Sequence, residues 1–223
     1  MTVLDESARP EAGTALSTAM RQGSLAEHQQ AEESPFMSEL MAGRVNEQGY
    51  ADLLLRLRVV YSTMEPILHE RADDPIVAAV NDTALDRLAT IDADLEHWCP
   101  DGTRTVDSPA AEAYRARLLE ASEWGGYLIA HHYTRYLGDL SGGQAIGRIL
   151  DRTFGLDGAG ISFYEFPGIE KPKVYKDGYR ARLDALPLSA EDQARVIEEV
   201  KVAFHLNQAM FVELGKNLES YAR

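Results

Sequence analysis

The chain of 223 residues has one cysteine, Cys99. A lone thiol closes no internal disulfide, which excludes a stapled secreted scaffold and fits a reducing cytoplasm. Basic side chains are also scarce: 22 Lys and Arg stand against 36 Asp and Glu, a formal charge of −14 at pH 7. Phosphate backbones need a basic footprint, so nucleic acid is a poor match as main partner. The same balance argues against a polybasic membrane anchor. No run approaches the ~20 apolar residues of a membrane span. The opening MTVLDESARPEAG has neither the basic nor the apolar region of a signal peptide. These absences predict a cytoplasmic protein with no membrane attachment, and nothing in the sequence calls for an obligate interface, so a monomer is expected. Repeats, low-complexity tracts and strand alternation are missing as well.

What is present is helical periodicity. With 45% hydrophobic and 26% charged residues, the length suits one core-bearing domain. We expect a disordered tail over residues 1–15 and one all-α domain over 16–223. Ser17 is the expected N-cap of a helix reaching about Glu32. Ser34-Pro35 opens a second, ending near Gly43. Asn46 caps a third, with Tyr50, Leu53, Leu57, Tyr61, Met64 and Leu68 at helical spacing and Pro66 kinking its end. Asp82 caps a segment bearing Leu85, Leu88, Ile91 and Leu95. Cys99–Ser108 is a loop, and Pro109 opens a helix behind Ser108. A long helix is predicted from about Tyr127 to Phe154, then a loop, an irregular stretch over Ile161–Phe166, and a helix over Lys173–Leu186. Ser189 with Asp192 resembles a capping box for the last helix.

The long helix is anomalous. Arg135, Gly138, Asp139, Gly142 and Gly143 fall at i, i+3, i+4, i+7 and i+8, on one face where a buried helix normally shows Leu, Ile or Val. Each interior glycine costs about 1 kcal/mol relative to alanine. The three together take a large part of an ordinary stability margin of about 5–15 kcal/mol. Either they allow tight helix packing or they let the helix lie across a flat ligand. Asp139 among them favours a site, because a carboxylate there needs water or a partner.

Histidine gives less. His28 lies near Leu25 and Glu32 on the first helix, a position open to a surface, a core or a ligand role. His131 and His132 adjoin the glycine face but point in different directions. His69, His97 and His205 show no metal-ligand spacing with each other, and HExxH, CxxC and Glu-x-x-His pairs are lacking, so a di-iron centre has no support. Lys171, Lys173, Lys176, Arg180 and Arg182 form a basic cluster that reads either as a solvated face or as an anion clamp. Asn207 interrupts the apolar stripe of Phe204, Phe211 and Leu214. It needs a hydrogen-bond partner there, and a polar network with Asp139 is one source.

The stretch Tyr133–Gly143, YTRYLGDLSGG, together with Glu27–Met37, EHQQAEESPFM, resembles the haem oxygenases of the soluble bacterial and cyanobacterial type. VYKDGYRARL (Val174–Leu183) and AFHLNQAMF (Ala203–Phe211) resemble them as well, and the likeness runs from about Leu16 to Leu218. It implies a bundle that holds haem between a proximal and a kinked distal helix, and oxidative opening of haem by O₂ and electrons to biliverdin (by family default the α isomer), CO and iron. It further implies His28 as iron ligand and Glu32 beside it. Gly138 and Gly142 would lie against the distal haem face, and Gly143 would extend the flexible kink there. Asp139 would order distal water in a network with Arg135, Tyr61 and Asn207. Arg21, Lys176, Arg180 and Tyr133 would meet the propionates, and Phe204 the haem edge. Electrons would come from a ferredoxin or flavoprotein reductase docked on the basic cluster. Two departures stand out. Leu25 replaces a residue that is basic in some members, and Gly23 is unexpected in the proximal helix. A haem carrier or sensor on the same scaffold is the alternative; a thiaminase-like enzyme would need a catalytic cysteine, which Cys99 in its loop serves poorly.

Overall fold

The computed structural model describes residues 14–223, and the expected tail falls, but for Thr14 and Ala15, outside them. Helices account for the regular structure. They are α1 (Leu16–Gly23), α2 (Leu25–Glu32), α3 (Pro35–Met41), α4 (Glu47–Glu70), α5 (Pro75–Ala78), α6 (Leu88–Trp98), α7 (Pro109–Ala121), α8 (Gly125–His132), α9 (Gln144–Phe154), α10 (Pro172–Asp184), α11 (Ala190–Gly215) and α12 (Leu218–Tyr221). Among the described residues, sheet pairing is limited to an isolated bridge between Val45 and Ala222.

The N-terminal pattern predicts one helix, and the structure has two. Ser24 breaks the chain with φ −121° and ψ 17°, and its Oγ donates to the Met20 carbonyl at 2.8 Å. Gly23 sits against α11: a Cβ there would lie 2.6 Å from Ile197 Cγ2. The unexpected glycine is thus a close-packing residue. Ser17 is not the N-cap; Ala15 holds that position. Ser17 instead donates its amide (2.7 Å) and its hydroxyl (3.0 Å) to Asp184, tying α1 to α10.

Capping explains most other boundaries. Asn46 accepts from Gly49 N, Ser108 from Ala111 N and Ser189 from Asp192 N. Each such cap is worth about 1 kcal/mol. Ser34 precedes Pro35 as expected, but its side chain makes no cap bond. Asp82 caps only a 3₁₀ turn, Thr83–Leu85, and α6 starts afterwards at Leu88. Pro66 lies within α4, near its C-terminal end. The core is mainly apolar: Leu54, Val60, Met64, Leu95, Leu118, Leu128, Val200 and Met210 are fully buried or nearly so, and polar side chains such as Arg135, Asp139 and His132 are buried among such residues. Each of the apolar ones contributes roughly 1.5–3 kcal/mol by leaving water.

The predicted long helix exists from residue 125 to residue 154, but it is not uniformly α. Tyr133–Leu137 and Asp139–Gly143 are wound as π-helix. Such turns leave the α ladder locally and recur at functional sites. We call this whole element the glycine helix.

Candidate functional site

A cleft of about 780 Å³, open mouth included, lies between α2, the glycine helix and α11. His28 and Glu32 of α2 stand on one side, and Arg135, Gly138, Asp139, Gly142 and Gly143 on the other; Phe204 and Asn207 of α11 close it. A second hollow continues it outward past Arg21, Tyr133 and Arg180, sharing His28, Glu32, Gly138 and Gly142.

The His28 side chain is 48% exposed, with Nδ1 3.5 Å from Glu32 Oε2. Phe204 meets its ring edge-on at 5.3 Å between centroids. Opposite, a Cβ at Gly138 or Gly142 would find nothing within 4 Å. These two glycines therefore present bare backbone to the cleft, and the packing reading of their cost is excluded. Gly143 differs. Its Cβ would lie 3.1 Å from Tyr164 Cδ1, so this glycine lines the cleft while making room for the tyrosine.

Behind the bare surface lies a buried polar network. Tyr61 donates to Asp139 Oδ2. Arg135 donates from Nη2 to Asp139 Oδ1 (3.0 Å), from Nη1 to Asn207 Oδ1 (2.6 Å) and from Nε to Tyr61 Oη (3.2 Å). Asn207 in turn donates to the Ala203 carbonyl at 2.9 Å. The polar break in the α11 stripe is therefore offset by one guanidinium that joins all four residues. Burial raises the Asp139 carboxyl above its ordinary value, partly offset by Arg135 and the Tyr61 hydrogen bond. Burial opposes the charge on Arg135, but Asp139 and Tyr61 outweigh it and hold the guanidinium protonated. Burial pushes the Tyr61 phenol up strongly.

The rim is basic. Arg21, Tyr133 and Arg180 line the same outer hollow; burial raises the Tyr133 phenol, while Arg180 and Arg21 pull it back. Lys176 does not line the cleft; its Nζ donates to Ser141 Oγ at 2.9 Å, at the outer hollow's edge. The basic cluster is divided, since Lys173 pairs with Asp177 (3.3 Å) and Arg182 donates to the Ala79 carbonyl (2.7 Å).

Several lining residues escape the sequence reading, among them Met37, Leu53, Leu57, Thr134, Phe163 and Tyr164. The apolar ones carry the same periodicity as core residues, and nothing in spacing separates a core wall from a cleft wall. Phe163 and Tyr164 sit on a 3₁₀ turn inside the stretch expected to be irregular. Asp94 holds that turn by accepting from Ser162 N and Phe163 N at 2.8 Å. Arg87 holds it by donating to the Phe163 and Glu165 carbonyls.

A half-exposed histidine thus faces bare helix backbone across an apolar cleft whose outer rim is cationic. Comparison with known proteins matches that arrangement: the profile of the family described as heme oxygenase covers residues 14–213. The chain belongs to the haem oxygenase family. It is 39% identical to a heme oxygenase of Takifugu rubripes over 95% of this chain and 78% of that one. To heme oxygenase 1 of Nostoc sp. the identity is 38%, over 91% and 87%. Among solved structures, heme oxygenase-1 of Synechocystis sp. PCC6803 in complex with heme superposes with a TM-score of 0.87 at 33% identity, covering 93% of this chain and 95% of that chain. The all-α architecture is that of the family, and the chain is accordingly an oxidoreductase that degrades haem to biliverdin. No helix among the described residues is long and apolar enough to cross a membrane.

Proposed function

We propose that His28 holds the haem iron and that the Gly138–Gly142 surface covers the opposite face of the ring. The observation that carries this reading is the open backbone at those two glycines, facing the half-exposed histidine, with a buried charged network directly behind. Haem fits the residues present: a flat apolar body suits Met37, Leu53, Phe204 and Phe211, and two carboxylates suit Arg21, Tyr133 and Arg180, with Lys176 in reach. Glu32 beside Nδ1 orients the imidazole and leaves Nε2 for the metal.

When bound, haem is both the substrate and the group that activates O₂, with electrons from an external donor. The chain's own residues orient it and manage protons. Gly138 and Gly142 would let the backbone approach the ring and would limit, by steric contact, which edge of its open face is accessible. Both oxygens of Asp139 already accept hydrogen bonds, from Arg135 and Tyr61. A carboxylate held in this way would order water at the open face rather than act as a direct strong acid towards the oxygen chemistry that haem would supply there. The cations at the rim fix the propionates by charge-assisted hydrogen bonds and so select the α edge. Electrons enter from a ferredoxin or flavoprotein reductase docked on the basic face of α10, in a cytoplasmic, monomeric enzyme. A carrier or sensor would have no use for the Arg135–Asp139 pair beside the open face. The test is Asp139→Asn supplied with a competent donor: Soret titration should show wild-type haem binding while biliverdin formation is lost. Biliverdin at the normal rate would remove the water-ordering role.

A further inference from the structure

His132 is 1% exposed and Tyr179 not at all, and His132 Nδ1 lies 2.8 Å from Tyr179 Oη. The rings are near-parallel, 21° apart. His132 belongs to the glycine helix, immediately before Tyr133 and one α-turn before Arg135 and Tyr136. Tyr179 belongs to α10, three residues after Lys176 and immediately before Arg180. Its position therefore fixes how the basic face of α10 is turned.

Other bonds of α10 lead elsewhere. Tyr175 donates to Asp82 at 2.8 Å, Arg182 to the Ala79 carbonyl, and Ser17 to Asp184. Among the described residues, two hydrogen bonds join α10 to the glycine helix: Lys176 to Ser141 and the His132–Tyr179 pair. The first is exposed and the second is buried. Burial, aided by Arg182, lowers the His132 imidazole to about 3, so it stays neutral at physiological pH and the bond is not switched by protonation.

We propose that the His132–Tyr179 hydrogen bond is a positioning device that sets the spacing between the basic face of α10 and the bare glycine surface, and thereby decides which edge of the haem ring is attacked. This rests on the functional reading above. Neither residue touches haem; both act through Lys176, Arg180 and Gly138–Gly142. One buried neutral hydrogen bond shifts an equilibrium by about fivefold. Tyr179→Phe and His132→Ala should therefore raise the share of minor biliverdin isomers by about that factor. His132→Asn, which returns an amide group near the Nδ1 position, should restore the wild-type pattern.

The experiment is extraction and chromatography of biliverdin isomers from single turnovers of the wild type and the three variants. Proton NMR of the haem methyls in each ferric complex runs alongside. The NMR pattern reads the in-plane seating of haem without turnover, so a variant that binds haem but fails to react still decides the matter. A shifted isomer ratio or a second set of methyl resonances in Tyr179→Phe, absent in His132→Asn, supports the proposal. Wild-type isomer ratio and methyl pattern in both Tyr179→Phe and His132→Ala overturn the positioning role alone. A wild type that forms no biliverdin overturns the functional reading and this inference with it.

Discussion

Asp139 shows how burial and pairing set what a carboxyl can do. Removing its charge leaves the Arg135 guanidinium buried, with Asn207 and Tyr61 as its neutral partners. Breaking a buried ion pair from one side costs about 3–5 kcal/mol when no other partner remains. With two neutral partners left, we expect Asp139→Ala to lower the stability of the haem-free protein by about 2–3 kcal/mol, read from the denaturant midpoint. An unchanged midpoint would mean that the pair is solvated in the haem-free state. His28 makes the opposite case. Its half-exposed ring bears little on the fold, so His28→Ala should keep the wild-type midpoint.

At the scale of the element, the glycine helix is a compromise between folding and access. Nothing lies within 4 Å of a Cβ built at Gly142. Gly142→Ala should therefore raise the melting temperature of the haem-free protein by about 3 °C or less, while the added methyl weakens haem affinity. A lower melting temperature with undiminished affinity would contradict this account of the glycine. Gly23 predicts the reverse. Gly23→Val would drive a methyl into Ile197 of α11 and should cost about 1–3 kcal/mol as overpacking, measurable by urea denaturation. The two cases show what the sequence makes legible. The 3.6 periodicity and the caps at Asn46, Ser108 and Ser189 are local, so α4, α7 and α11 can be placed from their own residues. The close packing of Gly23 and the place of Ser17 depend on Ile197 and Asp184, more than 160 residues away, and no local pattern carries them. The π-winding is intermediate: the glycines foretell a departure from regular helix, but not its form. Regular α spacing puts Gly143 on the ligand face; in the π-wound segment its Cβ direction instead meets Tyr164.

Across the whole molecule, buried histidines and buried carboxyls pull the response to acid in opposite directions: burial holds Glu65, Asp94 and Asp139 above their ordinary values, so these favour the folded chain as pH falls. Burial lowers the His131 imidazole, despite its hydrogen bond to Glu199 at 2.8 Å, and lowers His132 to about 3 from 6.5. Below pH 6.5 the unfolded chain therefore binds protons at these two sites that the folded chain refuses, so their contribution to stability falls as pH drops from about 6.5 towards 3. Glu199 adds to the loss at its lower end: against its burial, His131 and Arg117 hold it at about 2 rather than 4.5, and its contribution fades as pH falls through that range. In thermal melts of the haem-free protein from pH 8 to 5, His132→Gln should lose less stability below about pH 6.5 than the wild type does; equal losses would contradict the burial of this imidazole. The same molecule-wide arrangement places α2, the glycine helix and α11 around one cleft, and the central claim is that His28 and the distal network in that cleft turn haem over. The most direct measurement is the absorbance of the protein with one equivalent of haemin, followed in air after adding NADPH with ferredoxin and its reductase. In the wild type the Soret band should be lost as a biliverdin band grows, and neither change should occur in His28→Ala. A Soret band that merely shifts on reduction and then persists, with the donor shown to be competent, would contradict that claim.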